Sequence, residues 1–240
     1  MSFISASLDI CCIIAEYAAP PKLLDWIDID NLSWLNLSKN PAAIHILEAN
    51  LDNIFWPWLS MNLAAMHLIE ENLDKIVWYG LSENPAAIHL LETNQDKINW
   101  CWLSANPAAV HLLKKNPDKI SWRVLCGNST KWAIDTLVNV DIFNWNGLSA
   151  NPAAIHLLES NPDKVNWKYL SKNPTKWAIH LLETNPDKIH WPQLSANPAA
   201  MHLLKANLDK IDWKIISKNP AIFEIDKEQI KSLANWLSKL

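Results

Sequence analysis

The sequence predicts an all-α solenoid of about nine 22-residue repeats, and two residue ladders with one recurring start signal predict it. Asn recurs at Asn40, Asn62, Asn84, Asn106, Asn128, Asn151, Asn173, Asn197 and Asn219, with gaps of 22, 22, 22, 22, 23, 22, 24 and 22 residues. Trp stands six residues before each, at Trp34, Trp56, Trp78, Trp100, Trp122, Trp145, Trp167, Trp191 and Trp213. Self-similarity at a fixed period marks an array whose units bury their cores against one another. The start signal is Asn-Pro, as at Asn106-Pro107. The Asn side chain accepts from an early backbone N–H, and Pro fits the first helical position.

Within one unit, Leu103 to Trp122, the signal occurs twice. Asn116-Pro117-Asp118 follows Asn106 by ten residues, and Asp118 suits the positive end of a helix dipole. Each repeat is therefore expected to be a pair of short helices, the second either α or 3₁₀. Neither is stable without packing. At 100° per residue Ala109, Val110 and Leu113 share an arc with Leu112 at its edge, and His111 lies opposite. Ile120 and Trp122 would align in a strand, so a leucine-rich-repeat-like α/β solenoid is the alternative fold.

In chain order, residues 1–22 read as an N-terminal capping helix carrying Leu8, Ile10, Cys11, Ile14 and Tyr17. Residues 23–219 read as the repeat solenoid, and residues 220–240 as a C-terminal capping helix with Ile222, Phe223, Ile230, Leu233 and Leu237. Together they make one elongated domain. Leu63 replaces the start Pro once and should loosen that start. The units after Asn128 and Asn173 carry two extra residues before the His position, and an extra Trp132 or Trp177. A local change of curvature is expected there.

The copies of LSxNPAAIHLLExNPDKIxW across residues 23–219 resemble the short tryptophan-containing repeat proteins of large DNA viruses. The resemblance implies a viral, intracellular helical-repeat protein, in the host cytoplasm or the virion. It implies little about activity. The Asn-Pro and apolar spacing is also similar to the leucine-rich variant repeats, which alternate α and 3₁₀ helices.

Composition narrows the function classes. Among 240 residues 15 are Trp and the net charge is −4, with no basic stripe, so no nucleic-acid partner is expected. The longest apolar run near the start, Ile10 to Ala15, is too short for a membrane span, and without a basic leader before it no signal peptide is expected. Cys11, Cys12, Cys101 and Cys126 lack metal-ligand spacing and read as reduced thiols. No catalytic constellation stands out, because Ser, His and Asp recur in every unit. No enzyme activity, cofactor or metal is expected, and the default oligomeric state is a monomer.

The Trp ladder reads as core and the Asn ladder as caps and turn bonds. Asp-Lys pairs such as Asp74-Lys75 and Asp118-Lys119 read as solvated surface. The His ladder is His45, His67, His89, His111, His156, His180 and His202. Stacked helices lie about 8–10 Å apart, too far for one His per layer to share a zinc ion. That leaves a tolerated polar face or a recognition stripe that titrates near pH 6.5. These histidines with Trp132 and Trp177 are the candidate partner-binding residues. The expected function is a protein–protein interaction scaffold. The alternatives are a structural component of the virion, or an F-box-like ubiquitin-ligase adaptor using the first helix.

Overall fold

The computed structural model describes residues 21–237. It is an all-α repeat solenoid, and the only sheet among these residues has two strands. Of the expected capping helix over residues 1–22 and the F-box-like segment, residues 1–20 lie outside the described residues, and Lys22 and Leu23 are strand, not helix. The chain divides into two compact units, one of them Leu32–Pro220. In the other, β1 (Lys22–Leu23) pairs antiparallel with β2 (Phe223–Glu224), and Lys22 faces Glu224 at 3.5 Å. A helix follows over Lys227–Leu237, its start held by Asp226 accepting from Glu228 and Gln229. Ile222, Phe223 and Ile230 are buried.

Within Leu32–Pro220 the repeat is built from short pieces. In the Asn106 unit a 3₁₀ turn over Pro107–Ala109 runs into an α-helix over Val110–Lys115. A second 3₁₀ turn covers Pro117–Lys119, and a one-turn helix covers Trp122–Leu125. The first start is as expected: Asn106 Oδ1 accepts from Ala108. The second Asn behaves differently. Asn116 turns its amide back to the Leu112 carbonyl four residues earlier and thereby closes the preceding helix. Asn50, Asn72, Asn94, Asn161, Asn185 and Asn207 do the same. The extended residues after the second turn, such as Ile120, form no strand, so the α/β alternative fails. The Leu63 start leaves a plain turn in place of a 3₁₀ helix, as a lost proline predicts.

Three fully enclosed side chains form the core of a unit. They are the Ala three after the ladder Asn, the Leu seven after it and the Leu three after the ladder Trp: Ala109, Leu113 and Leu103 in one case. The Trp ladder differs from expectation, because all nine rings are only half-buried. A bulky indole cannot fit between helices this short, so it lies across the edge of the stack. The lysine of a following Asp-Lys pair covers it. Lys75, Lys97, Lys119, Lys188 and Lys210 stand 4.4–4.9 Å from the rings of Trp56, Trp78, Trp100, Trp167 and Trp191. Those lysines are therefore not idle surface, since each ties two units by a cation–π contact.

The units are joined by amides. Each ladder Asn donates both amide hydrogens backwards, one to the preceding ladder Asn carbonyl and one to the carbonyl two residues before that. The N···O distances are 2.9–3.2 Å from Asn62 to Asn219. Asn40 has no earlier unit, and it donates to Ser217 and Asn219 of the last one. A second ladder repeats the closure. The hydroxyl of Ser38 accepts from Phe55, that of Ser195 accepts from Asp212, and that of Ser217 accepts from Ser33. Cys126 replaces Ser once, and its thiol takes the Asn144 N–H at 3.2 Å.

The repeats of Leu32–Pro220 are thus a closed ring, in place of the elongated array expected. Nine units in one turn rotate by about 40° each, the small constant rotation from which solenoid curvature arises. The longer units do not disturb it. Asn151 and Asn197 keep their bonds to the preceding units. The extra residues become helix, Lys131–Val140 and Lys176–Glu183, each capped by a threonine. The first ends on Asp141 in the left-handed conformation, φ 53°, which Asp tolerates better than most residues.

This bonding makes Asn→Asp a sharper test than its size suggests. The carboxylate introduced by Asn106→Asp could still accept from Ala108, but it would face two carbonyls with no hydrogen to give. We expect Asn106→Asp to cost at least as much as Asn106→Ala, about 2–4 kcal/mol for buried groups left unpaired. The repulsion raises the carboxyl's folded pKa above its unfolded value, so the variant should regain stability as pH falls. Urea unfolding from pH 8 to pH 4 checks this. A variant as stable as wild type at pH 8 would show that the ladder bonds carry little.

Candidate functional site

Two positions per unit build the ring's inner wall: the residue before the ladder Asn and the residue two after the ladder Trp. In the first column the charged members are Lys39, Glu83, Lys172 and Lys218, and Ala105, Gly127, Ala150 and Ala196 are small. Closure brings them together. A cavity of about 310 Å³ is bounded by Lys39, Trp58, Lys172, Gln193 and Lys218, from the first two and last three units. A second of about 350 Å³ adds Glu83, Gly127, Gly147 and Tyr169, and shares Lys172. Lys39 Nζ lies 4.0 Å from Glu83 and donates to Met61 Sδ at 3.4 Å. The Trp58 ring carries two ammonium groups, Lys218 at 3.8 Å and Lys39 at 5.9 Å.

The lysines feel one another. The Lys218 ammonium is pushed down to about 8, by burial first and then by Lys39 and Lys172, against a smaller opposing pull from Asp212. Lys172 is also held below the ordinary lysine range, by burial and then by Lys39, with Glu83 opposing. Water reaches Lys172, yet the walls around it replace much of its hydration, which disfavours the charged form.

The expected partner-binding residues lie elsewhere in the ring. His67, His89, His111 and His202 each bond a Glu of the preceding unit, Glu48, Glu70, Glu92 and Glu183, at 2.7–3.0 Å. The stripe is therefore a row of ties between units. His156 follows the unit that has Val138 in the Glu position, where no carboxylate is available for such a pair. His180 is exposed. His45 is half-buried, and burial lowers its pKa. Trp132 is half-buried with Lys114 at 5.8 Å from its ring, and Trp177 is half-buried. Neither inner cavity includes any of these candidate residues.

Sequence reasoning missed the lysine column. Aligning the units and reading the residue before each ladder Asn would have displayed it. Nothing local shows that the first and last units meet. Among the described residues, no helix is long and apolar enough to cross a membrane. No protein-family model matches the chain, no curated protein matches it, and no solved structure matches it.

The inner lysines give the ring a stability that changes with pH. Lys218 titrates near 8 folded and near 10.4 unfolded. Between those values the unfolded chain binds more protons, so this group makes the ring more stable as pH rises through that window. The penalty is fully present below pH 8. Unfolding free energies at pH 7.5 and 9.5 should show wild type gaining on Lys218→Gln. Parallel profiles for the two proteins would contradict the placement of this ammonium.

Proposed function

We propose that the chain is a non-enzymatic interaction scaffold, a closed ring that holds a protein partner on its outer surface. The resemblance to repeat proteins of large DNA viruses makes a virus the proposed source and infected cells the place to look for the partner. One observation supports this most. The residues that define the repeat are occupied in joining units, yet exposed apolar side chains stand next to the ladder Trp in the first three. Leu35, Phe55 and Tyr79 lie next to the ladder Trp and are 38–42% exposed. Tyr79 and Trp102 are in ring contact, with centroids 6.4 Å apart. Later units carry Arg123, Lys168 and Lys214 next to the ladder Trp. Exposed apolar groups of this kind favour association, and Tyr and Trp are common anchors at interfaces.

Affinity capture with equal amounts of folded variants tests the reading. A partner held by wild type should fall at least about tenfold with Leu35→Glu combined with Tyr79→Glu, as the loss of an anchor worth about 1.4 kcal/mol or more requires. Trp177→Ala with His180→Ala forms the second arm. Loss in that arm alone moves the contact to the longer unit and overturns the role of the apolar group. Retention in both arms overturns the outer-surface reading.

A further inference from the structure

Three ammonium groups and one carboxylate line the ring's axis, and the wall offers them few acceptors. The carbonyls on either side of each lysine, those of Ser38, Asn40, Ser171, Asn173, Ser217 and Asn219, each accept a ladder Asn amide. Glu83 lies near Lys39. Asp212 accepts from the Ile215 N–H at its helix start. Among the described residues Lys172 has no carboxylate or carbonyl within bonding distance, and Lys218 has only the face of Trp58. The cavity therefore holds an excess of hydrogen-bond donors and of positive charge. Surface lysines relieve such crowding by swinging into water. These three come from units one, seven and nine, and closure of the ring points them at one another.

We infer that the ring's axis is a binding site for a compact small molecule carrying two or more phosphate groups, held by Lys39, Lys172 and Lys218. The inference is independent of the outer-surface scaffold. Three separate point-charge donors suit tetrahedral groups rich in oxygen, whereas planar carboxylates are better matched by an arginine fork. Three ammonium groups and one carboxylate leave a net charge of about +2, complementary in sign to a diphosphate. The cavity volume of about 310 Å³ is at the lower end for small-ligand pockets. Trp58 supplies an apolar floor and Gln193 an amide, and Tyr169 lines the second cavity, which shares Lys172. Glu83 can accept from a ligand hydroxyl. The depressed Lys218 makes binding proton-linked: a bound anion favours the charged lysine, so association above pH 8 takes up a proton.

Calorimetric titration of the full chain at low salt, with inorganic pyrophosphate and separately with inositol hexakisphosphate, tests the site. One ligand per chain should bind with Kd well below about 1 mM, and Lys172→Gln or Lys218→Gln should weaken it at least about tenfold. Lys164→Gln, on the outer edge, should leave it unchanged, and Glu83→Gln should not weaken it. Tighter pyrophosphate binding identifies a linear phosphoanhydride as the natural class, and tighter inositol hexakisphosphate identifies a phosphorylated polyol. At pH 8.5, heats in buffers of different ionisation enthalpy should reveal proton uptake. A thermal melt without ligand adds an independent readout: Lys172→Gln should raise Tm, because it removes a repelling charge. No binding tighter than about 1 mM for either probe overturns the proposal, as does equal weakening by Lys164→Gln and Lys172→Gln. So does a lower Tm for Lys172→Gln with ligand affinity intact.

Discussion

The amide-to-backbone bond of the ladder Asn sets the geometry of the ring. A carboxamide has two hydrogens to donate and one oxygen to accept with. In the Asn106 unit all three are used: two carbonyls of the preceding unit and one N–H of its own. That fixes the side chain to the start of its own helix and the distance to its neighbour at once. Neither Gln, with a longer arm, nor Asp, with no hydrogen, can do both. The bonds are buried, where an unmade bond is expensive, so the spacing between units is held tightly on this side. On the outer side the ties are softer, a His–Glu pair or a Lys over an indole, and exposed to solvent. A stack held rigidly along one edge curves toward that edge, and equal steps lead it back to its own start.

Closure changes what a single residue can do. In an open array a lysine before a ladder Asn would see only its two neighbours. In the ring, Lys39 meets Glu83 two units on, and Lys218 meets Trp58 across the junction. The inner wall is also crowded. A Cβ on Gly80 would come within 2.9 Å of the Pro57 carbonyl, and one on Gly147 within 3.0 Å of Cys126 Cβ. Small side chains there are required by the close approach of units, and they leave room on the axis for the few long side chains that remain.

The local chemistry of the fold was legible and its global geometry was not. Period, unit boundaries, the Asn-Pro start and the buried face with Ala109 and Leu113 follow from residue types and a 100° step. The second Asn misled, since Asn116-Pro117 has the look of a start while its side chain closes the helix behind it; both uses satisfy orphan backbone groups, and composition does not separate them. The Trp ladder misleads because a large apolar ring suggests burial, although an indole is too large for a core built on helices of one or two turns. The 100° step sets the His stripe opposite the buried face, but the partner Glu lies nineteen residues earlier and becomes visible only when units are stacked. Closure is a sum of small rotations that no single unit encodes. The candidate site went unseen for that reason: net charge −4 averages over a chain in which three lysines converge.

The length changes show which surface is constrained. Each Trp-to-Asn step is fixed, and the added residues in the units after Asn128 and Asn173 fall just beyond the Asn. There the chain leaves the inner ladder. Thr130 and Thr175 bond their ladder Asn by both N–H and hydroxyl, then cap a continuous helix in place of the 3₁₀ turn. The ladder itself passes through unaltered. Variation in length is thus confined to the outside, and variation in charge on the inside is confined to side chains the ladder does not use. The residue before the ladder Asn is such a position, since its backbone is held on both sides while its side chain takes no part in the ladder. A substitution there alters the axis without altering the ring, which is the condition for a site to acquire chemistry on a scaffold whose packing is already fixed.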